Sequence, residues 1–394
     1  MDTFESNDTQ FDTKTTRSKF IYSNNNNDAK PIQIQRIDSE NFEIRNIDNN
    51  SVAFELNYKD IDHNICFQYA SHFYLKDVLY FYIAAQSIDG LDSYIYLVNP
   101  LKKKNFHRLE FNRQIKGTVT NIFVSNALKN DSKDEYHIVT IGTLDSAIYV
   151  FKITAKIILE KKRLTCALLR SDARNSITQQ LIILDAQPTS SADVYIMSGG
   201  SNGIMDIFQM KGDNNIENEP SIEFVNHQLV KLPSNLPIIS IQCHRVTDQE
   251  VLLAICQELS NPIRISRSIE PSVSIVKFNT QKLIGKNIKS LKFKSGSHIV
   301  CKDTMTKEPF QIWTYYSDVD NHQFMLTQCE FDATKFKFGD ITNNFLDQKQ
   351  AKIQDFQEIS IIDKDTCWVL GKQVLHKLKA TNTRPKGHKR QHST

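Results

Sequence analysis

From Pro31 to about Ala380 the chain sets short apolar runs between clusters of Asn, Asp, Ser, Gly and Lys, which is strand punctuation and not the 3.6-residue spacing of an amphipathic helix. The stretches Ile238 to Cys243, Val251 to Cys256 and Val273 to Phe278 are short for helices and rich in β-branched side chains, which fit a pleated surface. The pattern predicts an all-β body. Within it, three stretches share one grammar: an apolar strand, an Asx-Gly-like turn, and a second apolar strand. They run from Phe81 through Asp89-Gly90 into Tyr94–Val98, from His137 through Asp145-Ser146 into Ile148–Phe151, and from Val194 through Asn202-Gly203 into Met205–Phe208. The turn residues Asp89, Asp145 and Asn202 lie 145−89=56 and 202−145=57 residues apart, a recurrence that predicts repeat architecture.

Weaker members extend the repeat. Phe42 to Ile47 leads through an Asp48–Asn50 turn into Val52 to Leu56, and Val251 to Cys256 and Val273 to Phe278 flank an insertion around Asn261-Pro262. His298 to Cys301 leads through Asp303 to Phe310–Tyr315, and Cys367 to Leu370 precedes Val374 to Leu378. The count is seven units over about 350 residues, near 50 residues each. A four-stranded sheet of this length cannot bury both of its faces alone, so consecutive units are expected to stack about a central axis and close on themselves. Near-continuous apolar runs such as Ile148–Phe151 and Val194–Met197 suit strands sandwiched on both faces. The expectation is a single β-propeller of seven four-stranded blades over residues 31–380, a disordered polar segment over residues 1–30, and a basic tail over residues 381–394. A pair of β-sandwiches, or two unrelated β-domains, is the competing architecture.

Ser87–Gly90, Gly142–Asp145 and Ser198–Gly203 carry a resemblance to the WD40-repeat β-propellers: each is similar to that family's small-residue, Asp/Asn-Gly, apolar-strand stretch. The resemblance spans about residues 35 to 380. Where the family closes its second inner strand with Trp-Asp, this chain has Val98-Asn99, Phe151-Lys152, Phe208-Gln209 and Phe278-Asn279, and its one Gly-His pair, Gly387-His388, lies in the tail. The resemblance implies a propeller whose blades rely on apolar packing in place of the family's hydrogen-bond network. The order of strands from Val251 through Tyr315 also resembles the late blades of the non-catalytic propeller subunit of the tRNA guanine-N7 methyltransferase, which implies an accessory role beside an RNA-modifying enzyme.

Composition narrows the chemistry. The 394 residues carry 7 scattered cysteines without a Cys-x-x-Cys pair, which indicates neither a disulfide framework nor a zinc site and reads as buried thiols in a reducing compartment. No run approaches the roughly 18 uncharged apolar residues of a membrane span, and Asp2, Glu5, Asp8 and Asp12 argue against a secretory or mitochondrial leader. A nuclear address is expected, with the cytoplasm as the alternative. The net charge of +3 conceals an asymmetry, because Lys377, Lys379, Arg384, Lys386, Lys389 and Arg390 contribute +6 without an acid, leaving +3−6=−3 for the remainder.

The sequence contains no nucleophile elbow, Walker phosphate loop, dinucleotide fingerprint or His-Glu-x-x-His. With only 12 glycines it offers few places where bare backbone amides could cradle a phosphate. The reading is therefore non-catalytic, with no cofactor, metal or small-molecule substrate expected. Cys243-His244, and Cys367 with His376, are read as core thiols beside strand-end histidines. Lys102, Lys103, Lys104 and Arg108, then Lys161, Lys162 and Arg163, and finally Arg384, Lys386, Lys389 and Arg390 form basic clusters suited to phosphates or an acidic partner, or to solvated hairpin loops. The expected role is a scaffold subunit contacting protein partners in a nuclear multi-protein complex, through the insertion from Glu258 to Pro271, the loop from Lys211 to Pro220 and the two ends. RNA binding as an accessory subunit is the alternative.

Overall fold

The computed structural model describes residues 18–21, 32–36, 41–46, 51–57, 65–75, 78–99, 106–125, 128–129, 135–160, 163–170, 178–185, 194–211, 223–247, 249–259, 270–280, 284–303, 310–318, 323–345, 358–361, 366–370 and 375–379. The Asp48–Asn50 turn, the Asn261-Pro262 insertion, the loop over residues 212–220 and the basic tail lie outside them. The chain divides into two compact units, Met1–Ile122 with Ala155–Leu164, and Phe123–Thr154 with Thr165–Thr394.

In the first unit, β1 (Ser18–Ile21), β2 (Ile32–Arg36), β3 (Asn41–Asn46) and β4 (Ser51–Asn57) form an antiparallel meander in chain order. In the strand Ser18–Ile21, Phe20 and Ile21 pair with Gln33 and Ile32. A second meander joins β5 (Ile65–Leu75), β6 (Val78–Ser87), β7 (Asp92–Val98) and β8 (Phe106–Arg108), with β9 (Ile115–Lys116) also pairing β7. The division between units falls inside β10 (Val119–Val124). The first unit also holds α1 (Ala155–Glu160), a helix that strand-like patterning did not predict; its six residues include the good helix formers Ala155, Lys156, Leu159 and Glu160.

The second unit repeats the same antiparallel device. β11 (Leu128–Lys129) pairs β12 (Glu135–Thr143), which is followed in order by β13 (Ala147–Thr154) and β14 (Cys166–Arg170). Next come β15 (Thr178–Asp185), β16 (Val194–Gly200), β17 (Ile204–Lys211) and β18 (Glu223–Lys231), then β19 (Ile238–Arg245), β20 (Glu250–Gln257), β21 (Ser272–Asn279) and β22 (Ile284–Lys292). β23 (Ser297–Asp303), β24 (Phe310–Asp318) and β25 (Gln323–Asp332) continue the series, with β26 (Lys337–Phe338) and β27 (Thr342–Phe345) both on β25. β28 (Glu358–Ile361), β29 (Thr366–Leu370) and β30 (Leu375–Lys379) form the last sheet. The described chain is thus all-β apart from α1, in consecutive meanders of the kind that make propeller blades.

Strand alternation explains how the sheets of this unit pack. In β20, Leu253 and Ile255 join Met197, Ile207 and Ile238 in one core, while Leu252 and Ala254, on the opposite face, join Ile312 and Phe331 in another. In β16 the same split sends Tyr195 and Met197 to one side and Val194 and Ile196 to the other, the latter against Ile138 and Val150. Every residue of β13 and of β16 is buried, as expected for strands covered on both faces. The cysteines fit this packing: Cys166, Cys256, Cys301 and Cys329 are buried thiols in no disulfide among the described residues. Burial, aided by the charge of Glu330, pushes the Cys329 thiol up to about 11, so it is held as the protonated, unreactive form at neutral pH.

One close approach between two of these sheets depends on glycine. A Cβ on Gly199 of β16 would sit 2.5 Å from Ile238 Cγ2 and 2.8 Å from Ile238 Cβ. Gly199→Ala is therefore expected to lower stability by about 1–3 kcal/mol through overpacking, read as a reduced urea midpoint for the full chain with an unchanged m-value. Unchanged stability would mean that β16 and β19 can part without cost.

Candidate interaction surface at a hairpin tip

The three turns that carry the sequence repeat share a hydrogen-bonded frame. The N–H groups of Gly90, Ser146 and Gly203 donate to the carbonyls of Ser87, Thr143 and Gly200 at 2.9, 3.3 and 3.3 Å. The donor residue of each has a positive φ, 76°, 64° and 76° respectively, the left-handed position that closes a hairpin of this type. In the first two turns a hydroxyl braces the acid: Ser87 donates to Asp89, and Thr143 to Asp145. The third has Gly200 where the others have the hydroxyl, and carries an Asx bond from Ile204 N–H to Asn202 Oδ1 at 3.1 Å.

The first turn differs by one residue. The last registered pair before it is Gln86 with Ser93, against Gly142 with Ile148 and Gly199 with Met205 in the others. The intervals are 93−86=7, 148−142=6 and 205−199=6. Matching contacts locate the addition: Ser87 Oγ lies 3.1 Å from the Asp92 carbonyl oxygen, as Thr143 Oγ1 lies 3.1 Å from that of Ala147, so the extra residue is Leu91. Leu91 is 64% exposed and Ile88, on the other side of Asp89-Gly90, is 72% exposed. The residues equivalent to Ile88, Leu144 and Ser201, are half-buried.

Polar contacts hold this tip in one shape. Gln86 Nε2 donates to the Gly90 carbonyl at 2.7 Å, and its Oε1 accepts from Gln68 and from Thr118. Gln68 Oε1 in turn accepts the Val119 N–H at 2.9 Å. Leu91 N–H donates to Asp89 Oδ1 at 3.0 Å, and Lys116 Nζ pairs with Asp92 at 2.8 Å. Hydrogen bonds from Ser87 and from the Leu91 N–H hold the Asp89 carboxyl below the usual carboxylate range. Two large apolar side chains thus stand in water on a braced turn, beside a carboxylate kept ionised.

Lys102, Lys103, Lys104, Lys161, Lys162, Arg384, Lys386, Lys389 and Arg390 lie outside the described residues. The guanidinium of Arg108 sits 3.9 Å from the Tyr94 ring centre, and its Nε is 3.7 Å from Glu110. Arg163 Nε donates to the Phe111 carbonyl at 2.9 Å. A parallel bridge between Phe111 and Leu164, with bonds from Leu164 N–H to Glu110 O and from Asn112 N–H to Leu164 O, brings the Arg108 and Arg163 segments together. Sequence reading passed over two acid–imidazole pairs. Asp206 is buried 2.9 Å from His227 Nε2, whose ring stacks on Phe208 at 4.4 Å, and Glu258 lies 3.2 Å from His298 Nδ1 while accepting the Ile299 N–H at 2.8 Å. The members of each pair are 21 and 40 residues apart, so only the strand register could have found them. Among the described residues no group of three or more His, Cys, Asp or Glu is placed to hold a metal.

The lowered carboxyl has a consequence for pH. A group depressed on folding adds stability that is present above its unfolded pKa and is lost as pH falls through its folded value. Ser87→Ala removes the first cause, so the Asp89 titration midpoint, followed by NMR of its side-chain carboxyl carbon, is expected to rise toward the ordinary carboxylate value. A midpoint that stays put would assign the shift to the backbone N–H groups and the Lys116 charge.

No protein-family model and no curated protein matches the chain. Among solved structures it is similar to the WD40 domain of SCAP from fission yeast, at 8% identity and a TM-score of 0.48, over 89% of this chain and 82% of that one. It is also similar to the β-propeller domain of Cps50 (Swd1) from Myceliophteria thermophila, at 10% identity and a TM-score of 0.48, over 93% of this chain and 97% of that one. A third is Sqt1 from Saccharomyces cerevisiae, at 12% identity and a TM-score of 0.43, over 89% of this chain and 82% of that one.

Proposed function

We propose that the chain is a non-catalytic propeller scaffold subunit of a nuclear multi-protein complex and that the tip from Ile88 to Leu91 is one of its protein-binding points. The observation that carries this reading is the exposure of Ile88 and Leu91 on a turn whose backbone is already fixed by Ser87, Gln86 and Asp89. Large apolar side chains on a rigid support lose little conformational freedom on binding, which is how a small number of anchors comes to dominate an interface. A partner of matching chemistry presents an apolar pocket with a hydrogen-bond donor or cation at its rim for Asp89. In this reading the chain contributes surfaces and not reacting groups.

A second reading draws on the Phe111–Leu164 bridge, which gathers two of the basic stretches in the first unit. Arg108 and Arg163, beside that bridge, suit an RNA backbone, whose binding weakens steeply with salt. Arg108 and Arg163 are both engaged within the protein, at Glu110 and Phe111, which favours the protein-partner reading.

The test is affinity purification of the endogenous full-length chain with mass spectrometry of what accompanies it, for wild type and for the double variant Ile88→Asp, Leu91→Asp. The expected outcome is at least one stoichiometric protein in the wild-type sample that is lost from the variant, with thermal stability unchanged because both side chains are solvent-facing. A wild-type chain that elutes as a monomer overturns the scaffold reading. Release of the companions by ribonuclease and high salt would favour the RNA reading instead.

A further inference from the structure

The second unit carries a different surface, distant in sequence from the hairpin tip. β22 is a nine-residue strand at the end of its sheet: it pairs with β21 along one edge, and among the described residues no strand pairs with the other. A strand edge of this kind presents a row of N–H and C=O groups that a further extended chain can complete. From Ile284 to Lys294 the sequence holds Lys286, Lys289, Lys292 and Lys294 and no acid. Lys289, Ser290, Lys292 and Lys294 are exposed, Ile288 is 36% exposed, and Leu291 is half-buried against the core that contains Phe293 and Ile299. Alternation puts Ile288, Ser290 and Lys292 on one face and Lys289 and Leu291 on the other, and the Ser274–Ser290 hydroxyl contact at 2.8 Å marks the first of these faces. Lysine therefore flanks the edge on both faces. At the end of the strand Lys292 lies 3.4 Å from Glu270, a solvent-exposed pair that contributes little to stability, and Lys294 Nζ stands 3.9 Å from the Tyr316 ring centre.

We infer that the free edge of β22 is a docking site for an extended acidic segment of a protein partner, added antiparallel as a further strand. The spacing dictates what fits. Residues opposite Lys289 and Lys292 come three apart in the incoming strand and should be acidic, while those opposite Ile288 and Leu291 should be apolar. Opposite charges facing each other across a ladder are favourable, and like charges are not. Apolar side chains between the lysines suit a peptide better than a nucleic acid, and Tyr316, the aromatic beside them, is covered by Lys294 and not open for base stacking. The inference rests on the scaffold reading only in taking a protein as the partner; it does not depend on the Ile88–Leu91 tip.

A fluorescein-labelled peptide of sequence Ser-Glu-Val-Thr-Glu-Val-Thr-Glu-Ser, titrated into the full-length chain at low ionic strength, tests it by anisotropy, and hydrogen exchange locates the bound peptide. Saturable binding is expected, with slowed exchange over residues 284–292. Affinity should fall about tenfold or more in Lys289→Glu, Lys292→Glu, and the matching peptide with Lys in place of Glu should not bind. The same variant must retain its wild-type melting temperature, and Lys289→Gln, Lys292→Gln gives an intermediate affinity if charge is the determinant. The Ile88→Asp, Leu91→Asp variant should bind the peptide as wild type does, which separates failure at this edge from failure of the tip. No binding, protection elsewhere in the chain, or lysine-dependent capture of a twelve-nucleotide oligouridine in preference to the peptide would each overturn the proposal.

Discussion

The second unit depends on apolar burial on both faces of its central strands. Leu252 and Leu253 are neighbours in the chain, yet each belongs to a different core. A sheet built this way cannot be stable alone: removing either neighbour would expose a row of side chains each worth about 1.5–3 kcal/mol when fully buried. This explains why β13 and β16 contain no polar-out positions, and why the approach at Gly199 leaves no room for even a methyl group.

Apolar stacking alone does not fix how one sheet is set against the next, because the hydrophobic effect is not directional. Polar contacts supply the setting. The Tyr195 hydroxyl donates to the Thr280 carbonyl at 2.7 Å, and Gln257 Nε2 reaches the Ser234 and Leu236 carbonyls, each at 2.9 Å. Glu258 performs the same service one interface later by taking the Ile299 N–H. Each of these contacts meets a backbone group with a side chain, where an unmet buried carbonyl or N–H would be costly. Adjacent residues Gln257 and Glu258 thus tie the end of β20 to the segment that precedes β19 and to β23.

Much of this was legible in the sequence because turns and strands have local causes. Asp89, Asp145 and Asn202 each shape the two or three residues around them, so their spacing could be read directly, and β-branched runs announced β13, β16, β20 and β21. The extra residue in the first hairpin was present in the letters but hidden, because only the ladder register shows that Leu91 has no counterpart in the other two turns. Charge in sequence likewise does not reveal that Arg163 donates to the Phe111 carbonyl. Asp206 with His227, and the lysine-lined edge of β22, become visible only when strand order is known. The short helix Ala155–Glu160 escaped because its Ile157-Ile158-Leu159 run reads equally well as strand.

The Phe111–Leu164 bridge has a consequence for how this chain can be made and cut. The first unit takes one of its pieces, Ala155–Leu164, from beyond strands that belong to the second, so its contiguous portion ends at Ile122 but its bonding does not. As the chain emerges from a ribosome, the Glu110 carbonyl and the Asn112 N–H must wait some fifty residues for Leu164. A fragment stopped at Ile122 would leave both groups without that partner, and Phe111 would lose its Arg163 contact as well. The natural place to divide this protein is therefore not the first gap between compact units, and a dissection that keeps Leu164 attached to its N-terminal half must carry β12 and β13 along with it.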